Sequence, residues 1–296
     1  LHAVGIVQSS LLVAICLTST ALGIVAPILK EAGETGSEFG QLVIAGSSIA
    51  DFGTVLALSL LFSREAASTG TKLFLIGGFI GLIAAVVVAI VGAERWTRIP
   101  GLLVKLQDST SQIRVRGAFL LIVGLVALAA RLGLEIILGA FVAGALLSVL
   151  DHDYQRTHPK FHEKLEAIGF GVFIPVFFVT SGLQFDAGAL FSSPATLMRV
   201  PLFLLALAVA RGGPALLYRK LIGSRLSVVA GLLQATSLPF IVATTTIGVE
   251  LHELTRPNAS ALVAAGLLSV VLFPMASVAL LRPGTARPEA SRSADA

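Results

Sequence analysis

The chain of 296 residues is 55% apolar and 13% charged, with a mean hydropathy of +0.92. A water-soluble core cannot absorb that apolar surplus, so the composition excludes an ordinary globular domain and calls for lipid as solvent. The net charge of +4 and the pI near 9.6 come without basic patches interleaved with stacking aromatics, which argues against a nucleic-acid partner.

Nine mostly apolar segments follow in chain order, at 7–29, 40–62, 72–92, 117–131, 134–150, 168–185, 196–218, 227–249 and 258–281. Each is long enough, at about 15 to 25 residues, to cross a bilayer as a helix, so the fold class is all-α transmembrane with about nine helices. The chain opens on Leu1, and no charged region with a cleavage site precedes the first segment, so it is expected to lack its natural start. Cys16 lies inside the first segment, can form no intrachain disulfide, and reads as a small apolar filler.

The second segment, Gly40 to Phe62, carries Asp51 at its midpoint, eleven residues or about 16 Å of helix from either end. An acidic residue at mid-helix costs roughly 2.5 to 3.5 kcal/mol on insertion scales and marks ion or proton paths, so Asp51 is the first functional candidate.

Between the third and fourth segments, residues 93–116 alternate Trp96, Ile99, Leu102, Leu103 and Leu106 with basic residues, the pattern of a linker helix lying on the cytoplasmic interface. His152, His158 and His162 lie among acidic residues between Asp151 and Glu166; Pro159 weakens a helix there, which favours a solvated loop over a metal or pH-sensing cluster. Residues 1–281 read as one membrane domain, and 282–296 as a disordered cytoplasmic tail. With nine spans, fifteen Lys and Arg fall on one face and five on the other, which places the C-terminus in the cytoplasm.

Leu17 to Ala26 and Gln234 to Ala243 match at an offset of 217, sharing paired hydroxyl residues, a helix breaker and Ile-Val-Ala. Seven spans begin from the first copy up to the second, so the two enter the membrane from opposite faces, the parity of an inverted repeat. The breakers are Gly23 and Pro239. Alone, each reads as an ordinary kink; one residue out of register at that offset, in matching segments, they predict two crossed discontinuous helices, 7–29 and 227–249, whose freed backbone groups must be buried in protein or line a wet cavity. Half-helix ends and the hydroxyls of Ser19, Thr20, Thr236 and Ser237 would meet there and offset a bound ion's lost hydration. Arg211, in the seventh span, either snorkels to the cytoplasmic end or turns inward to a carboxylate, with Glu135 and Asp51 as candidates.

These residues carry a resemblance. The runs Thr18 to Gly23, Phe39-Gly40-Gln41 leading into Ile49-Ala50-Asp51, Leu138 to Gly144, Phe173 to Phe178 with Ser181-Gly182-Leu183, and Ala235 to Pro239, in this order, resemble the sodium/hydrogen exchanger domain of bacterial monovalent cation:proton antiporters, in the branch of potassium-efflux and sodium/proton exchangers. The resemblance covers nearly all of residues 7–281. It implies a core with two crossed broken helices moving against a dimerisation and gate domain, with Asp51 as the carboxylate that binds cation or proton. Ala50 stands where the family typically has Asp or Asn. It further implies that Arg211 sits in the core with Glu135 as its counter-ion, that three or four spans precede Leu1 in the whole protein, and that the full-length protein is a homodimer in the bacterial inner membrane. Potassium-efflux members often carry a C-terminal nucleotide-binding domain; with the tail ending at Ala296, regulation of that kind is not expected.

The expected activity is exchange of Na⁺ or K⁺ for H⁺ by alternating access, with no cofactor and no enzymatic step. A lone carboxylate is neutralised equally by one proton or one monovalent cation, and Arg211 is always protonated, so the expected exchange is electroneutral. The alternatives are a sodium-coupled symporter of an organic anion and a non-transporting membrane sensor or enzyme. Against the enzyme stands the absence of a His-Glu-x-x-His run, a Gly-x-Ser-x-Gly elbow or a paired Asp motif.

Overall fold

The computed structural model describes residues 9–62, 113–134, 136–151 and 159–281, with isolated positions between 70 and 84. The described residues are helical and contain no strand. Five helical stretches among them are long and apolar enough to cross a membrane: Ser10–Glu31, Glu38–Ser59, Glu163–Gln184, Pro194–Glu250 and Arg256–Leu281. Their surface is inverted relative to a soluble protein. Ile49, Leu183 and Leu217 are exposed, whereas Ser19, Thr20, Ser47, Gln234, Ser237 and Ser269 are buried, the arrangement expected when the outer solvent is hydrocarbon.

The chain divides into two compact units, one formed by Leu1–Asp51 with Asp186–Ala296 and the other by Phe52–Phe185. The first begins with α1, Ser10–Thr18, capped by the Ser9 side chain, and α2, Leu22–Glu31. Residues 19–21 between them are not helical. α3, Glu38–Phe62, belongs to the first unit as far as Asp51 and to the second from Phe52; it is 25 residues long, about 37 Å, and therefore outspans a hydrocarbon core of about 30 Å. Val25 and Leu29 of α2 pack with Phe39 and Val43 of α3 and with Val229, Ala230 and Leu233 further along the chain, forming a dry cluster.

In the second unit α4, Ile113–Arg131, and α5, Ile136–Asp151, form a hairpin that turns at Gly133 with a φ of 69°. Gly139 permits their approach, because a Cβ there would overlap the Leu125 carbonyl. α6, Pro159–Ile168, runs through a π-turn at Gly169–Phe173 into α7, Ile174–Gln184. Pro159 thus opens a helix rather than preventing one. At the first helical position the absent N–H would have had no partner and the fixed φ suits the turn, so the expectation of a loop from Pro159 onward is corrected.

The first unit resumes with α8, Ala187–Leu190, and α9, Pro194–Leu207, the latter capped by Ser193 and started by Pro194. A π-turn over Ala208–Gly212 and a short helical stretch to Tyr218 lead into α10, Arg219–Ala235. The apolar run Pro194–Glu250 holds 57 residues, about 85 Å if straight, so it must turn back on itself. It does so at Gly223, whose φ of 78° and ψ of 169° are open essentially to glycine alone. Residues 236–238 are again non-helical; α11, Pro239–Glu250, and α12, Arg256–Leu281, complete the unit. Of the third expected span at 72–92 only isolated positions are described; of the linker helix expected at 93–116, residues 93–112 lie outside the described residues and 113–116 open α4; His152, His158 and the tail 282–296 also lie outside the described residues.

Candidate functional site

The two interruptions, 19–21 and 236–238, stand 217 residues apart, the offset at which the two sequence segments align. They also touch. The Ala21 amide donates to the Thr236 carbonyl at 2.7 Å, the Thr20 hydroxyl donates to the Gln234 carbonyl at 2.8 Å, and the hydroxyls of Ser19 and Ser237 lie 2.7 Å apart. A broken helix leaves amides and carbonyls that lipid cannot satisfy; here each interruption supplies partners for the other.

Asp51 joins this crossing from α3. Its side chain is buried, and Oδ1 accepts the Thr20 amide at 2.8 Å. Among the described residues Oδ2 receives no hydrogen bond, so half of the carboxylate remains available. Ala50, the preceding residue, brings no second carboxylate.

Arg211 reaches the same place on the π-turn after α9. Its Nε and Nη2 both donate to the Thr20 hydroxyl, at 3.1 and 2.6 Å. Thr20 is therefore the hinge of the site: its amide holds the carboxylate and its hydroxyl holds the guanidinium. Arg211 is close enough for its charge to act on Asp51, yet the two make no direct ion pair. The turn is brought there by two glycines, because a Cβ on Gly231 of α10 would come within 2.9 Å of the Gly212 carbonyl oxygen. Such single-turn π elements recur at functional sites, where they redirect one side chain.

Ser19, Thr236 and Ser237 lie at the crossing, but their hydroxyls are committed to it: Ser19 also contacts the Cys16 carbonyl at 3.1 Å, and Thr236 donates to the Leu232 carbonyl at 3.2 Å. These contacts build the joint and leave oxygen lone pairs facing it. Gly23 is not the break; it lies inside α2, and the helix opens before it, at 19–21, where Asp51 and Thr236 supply partners. Pro239 starts α11 directly after the second interruption, where an absent N–H is tolerated. Glu135 lies outside the described residues.

Sequence reasoning missed Ser269. Its hydroxyl on α12 accepts the Ser237 amide at 3.1 Å and lies 2.9 Å from the Ser237 carbonyl oxygen, an acceptor. It also passed over Gln234 and Tyr218, joined at 3.4 Å beside Gly46, where a Cβ would press on both. Only the similar spacing of Ser269 to Ser237 and of Asp51 to Thr20, 32 and 31 residues, could have signalled the first.

Comparison with known proteins decides the family. The family described as sodium/hydrogen exchanger, transmembrane, matches residues 2–282. The chain belongs to that family. It is 32% identical over 271 residues to a putative Na⁺/H⁺ antiporter, YjbQ, of Bacillus subtilis (strain 168), covering 92% of this chain and 42% of that protein. It is 27% identical over 179 residues to a Na⁺/H⁺ antiporter of Enterococcus hirae, covering 58% of this chain and 43% of the relative. To the K⁺ efflux antiporter 1, chloroplastic, of Arabidopsis thaliana it is 29% identical over 185 residues, 60% of this chain and 15% of the relative. The chain spans less than half the length of these relatives. This exchanger-family chain is a multi-pass membrane protein, and the expected all-α transmembrane class and family resemblance are borne out.

Proposed function

We propose that the chain forms the ion-translocating part of a secondary antiporter that exchanges a monovalent cation, Na⁺ or K⁺, for H⁺ by alternating access. The observation that supports this most is the half-satisfied carboxylate of Asp51, held on one oxygen by the Thr20 amide where two helix interruptions meet. A bare carboxylate at that depth costs about 2.5 to 3.5 kcal/mol, and a proton or a monovalent cation removes the cost equally. The two ions are then obligatory alternatives on one group. The relatives' names, which give Na⁺/H⁺ antiporters and a K⁺ efflux antiporter, point the same way.

Both loaded forms carry the same charge whatever Arg211 contributes, and Ala50 adds no second titrating group, so the exchange is one for one and electroneutral. Arg211, tethered to Thr20, moderates the field at Asp51 without occupying its free oxygen. The two broken helices act as halves of an inverted repeat in a bacterial inner membrane with the C-terminus cytoplasmic, and the full-length protein works as a homodimer.

The test uses the full-length protein in vesicles with a trapped pH-sensitive dye, stepping Na⁺, K⁺ and Li⁺ in turn, with currents recorded on the same vesicles over a supported membrane. Proton flux driven by a cation step without steady current is the expected result. A current that follows voltage refutes the stoichiometry, and no proton flux with any cation refutes exchange itself.

A further inference from the structure

Each interruption leaves one amide at the same register, Thr20 in the first and Ser237 in the second, related by the 217-residue offset. Each amide is met by a side chain from the helix after its own broken helix. Asp51 lies 31 residues beyond Thr20, and Ser269 lies 32 residues beyond Ser237. Ser269 is 0% exposed, and its approach requires Gly266 one turn earlier, where a Cβ would come within 3.0 Å of the Ser237 carbonyl oxygen.

We propose that Ser269 is the uncharged counterpart of Asp51 and a positioning residue of the exchange site, holding Ser237 so that the crossing keeps Thr20 aimed at the carboxylate. The inference rests on the exchanger reading of Asp51. The path is short. Ser269 accepts the Ser237 amide, and its one hydroxyl proton is shared between the Ser237 carbonyl at 2.9 Å and the Gly266 carbonyl of its own turn at 2.7 Å; the Ser237 hydroxyl meets Ser19; and Ser19 directly precedes Thr20, whose amide holds Asp51. Because a serine carries no charge, the second interruption is closed without attracting a cation. The two halves then share one backbone plan and differ in which one binds the ion.

The experiment measures proton flux against Na⁺ concentration for the full-length protein carrying Ser269→Ala, Ser269→Thr or Ser269→Cys, with wild type and Asp51→Asn alongside. Loss of the clasp leaves a buried amide unpaired, so Ser269→Ala should raise the apparent KM for Na⁺ by about tenfold. The maximal rate per folded transporter should change less than about twofold, and Ser269→Thr should restore the KM, because the hydroxyl returns. A merely structural residue would lower the amount of folded protein and leave the KM unchanged. That result, or failure of Ser269→Thr to restore the KM, overturns the proposal. If Ser269→Ala does not fold, Ser269→Cys decides: its weaker hydrogen-bonding group should still raise the KM, and a wild-type KM in that variant overturns the idea. Absence of exchange in wild type, or wild-type exchange by Asp51→Asn, would instead bring down the exchanger reading, so the two failures are distinguishable.

Discussion

Thr20→Val removes one hydroxyl and keeps the shape and the backbone amide, so it spares the contact to Asp51 while removing the hydroxyl's contacts with Arg211 and with the Gln234 carbonyl. The amide can still donate to Asp51, whereas Arg211 loses the acceptor that takes both its Nε and its Nη2. Hydrogen bonds to a charged group contribute about 1.5 to 3 kcal/mol. The freed guanidinium has an obvious new partner in the open oxygen of Asp51; two unit charges 4 Å apart at an effective dielectric of 20 attract by about 4 kcal/mol, offset in part by reorientation. A cation must then compete with a tethered one. Taking about 1.5 to 3 kcal/mol as the net penalty, the apparent KM for Na⁺ should rise between about tenfold and a hundredfold. Thr20→Ser, which keeps the hydroxyl, should stay within about threefold of wild type. The assay is Na⁺-driven proton flux in vesicles over at least three decades of Na⁺. An unchanged KM in Thr20→Val would refute the claim that Thr20 holds Arg211 off the carboxylate.

Asp51→Asn should abolish exchange for every cation while the protein still purifies as a folded species, read by size-exclusion chromatography and vesicle flux together. Gly231→Ala should push the Arg211 turn away from α10, lowering stability by about 1 to 3 kcal/mol in thermal unfolding and raising the KM for the cation as Arg211 shifts. Gly139→Ala, which overpacks α4 against α5 in the other unit, should lower the unfolding temperature by a similar free energy and leave the KM unchanged, so an altered KM would count against a purely local effect. Gly223→Ala, at φ 78° and ψ 169°, should cost about 1 to 3 kcal/mol by forcing a side chain into that conformation, seen as a lower unfolding temperature with normal ion selectivity.

The contact between the two interruptions was legible because its signal is chemical: paired hydroxyls in apolar runs have few uses in lipid besides satisfying backbone, and the same signature at two places located both interruptions to within a few residues. Its fine placement was not. Gly23 looked like the break because glycine permits one, but a helix opens where other groups accept its amides, and here those groups are Asp51 and the Thr236 carbonyl, both supplied by tertiary contact. Asp51 stood out through the cost of a charge at mid-helix, a local property. The tether of Arg211 to Thr20 was hidden because it depends on the π-turn at 208–212 and on the contact of Gly212 with Gly231. Periodicity carries no trace of either. Ser269 was invisible for a related reason: one serine in an apolar helix commonly bonds to its own turn, and only the neighbouring interruption gives it work.

The proposed exchange turns on one carboxylate shared by competing ions, and proton release on cation binding measures that sharing most directly. Purified full-length protein is titrated with Na⁺ by calorimetry in two buffers of different ionisation enthalpy, at a pH low enough for the empty site to be protonated. The number of protons released per cation bound should approach one in wild type, and binding should vanish in Asp51→Asn. Cation binding without proton release, or equal binding by Asp51→Asn, would contradict it.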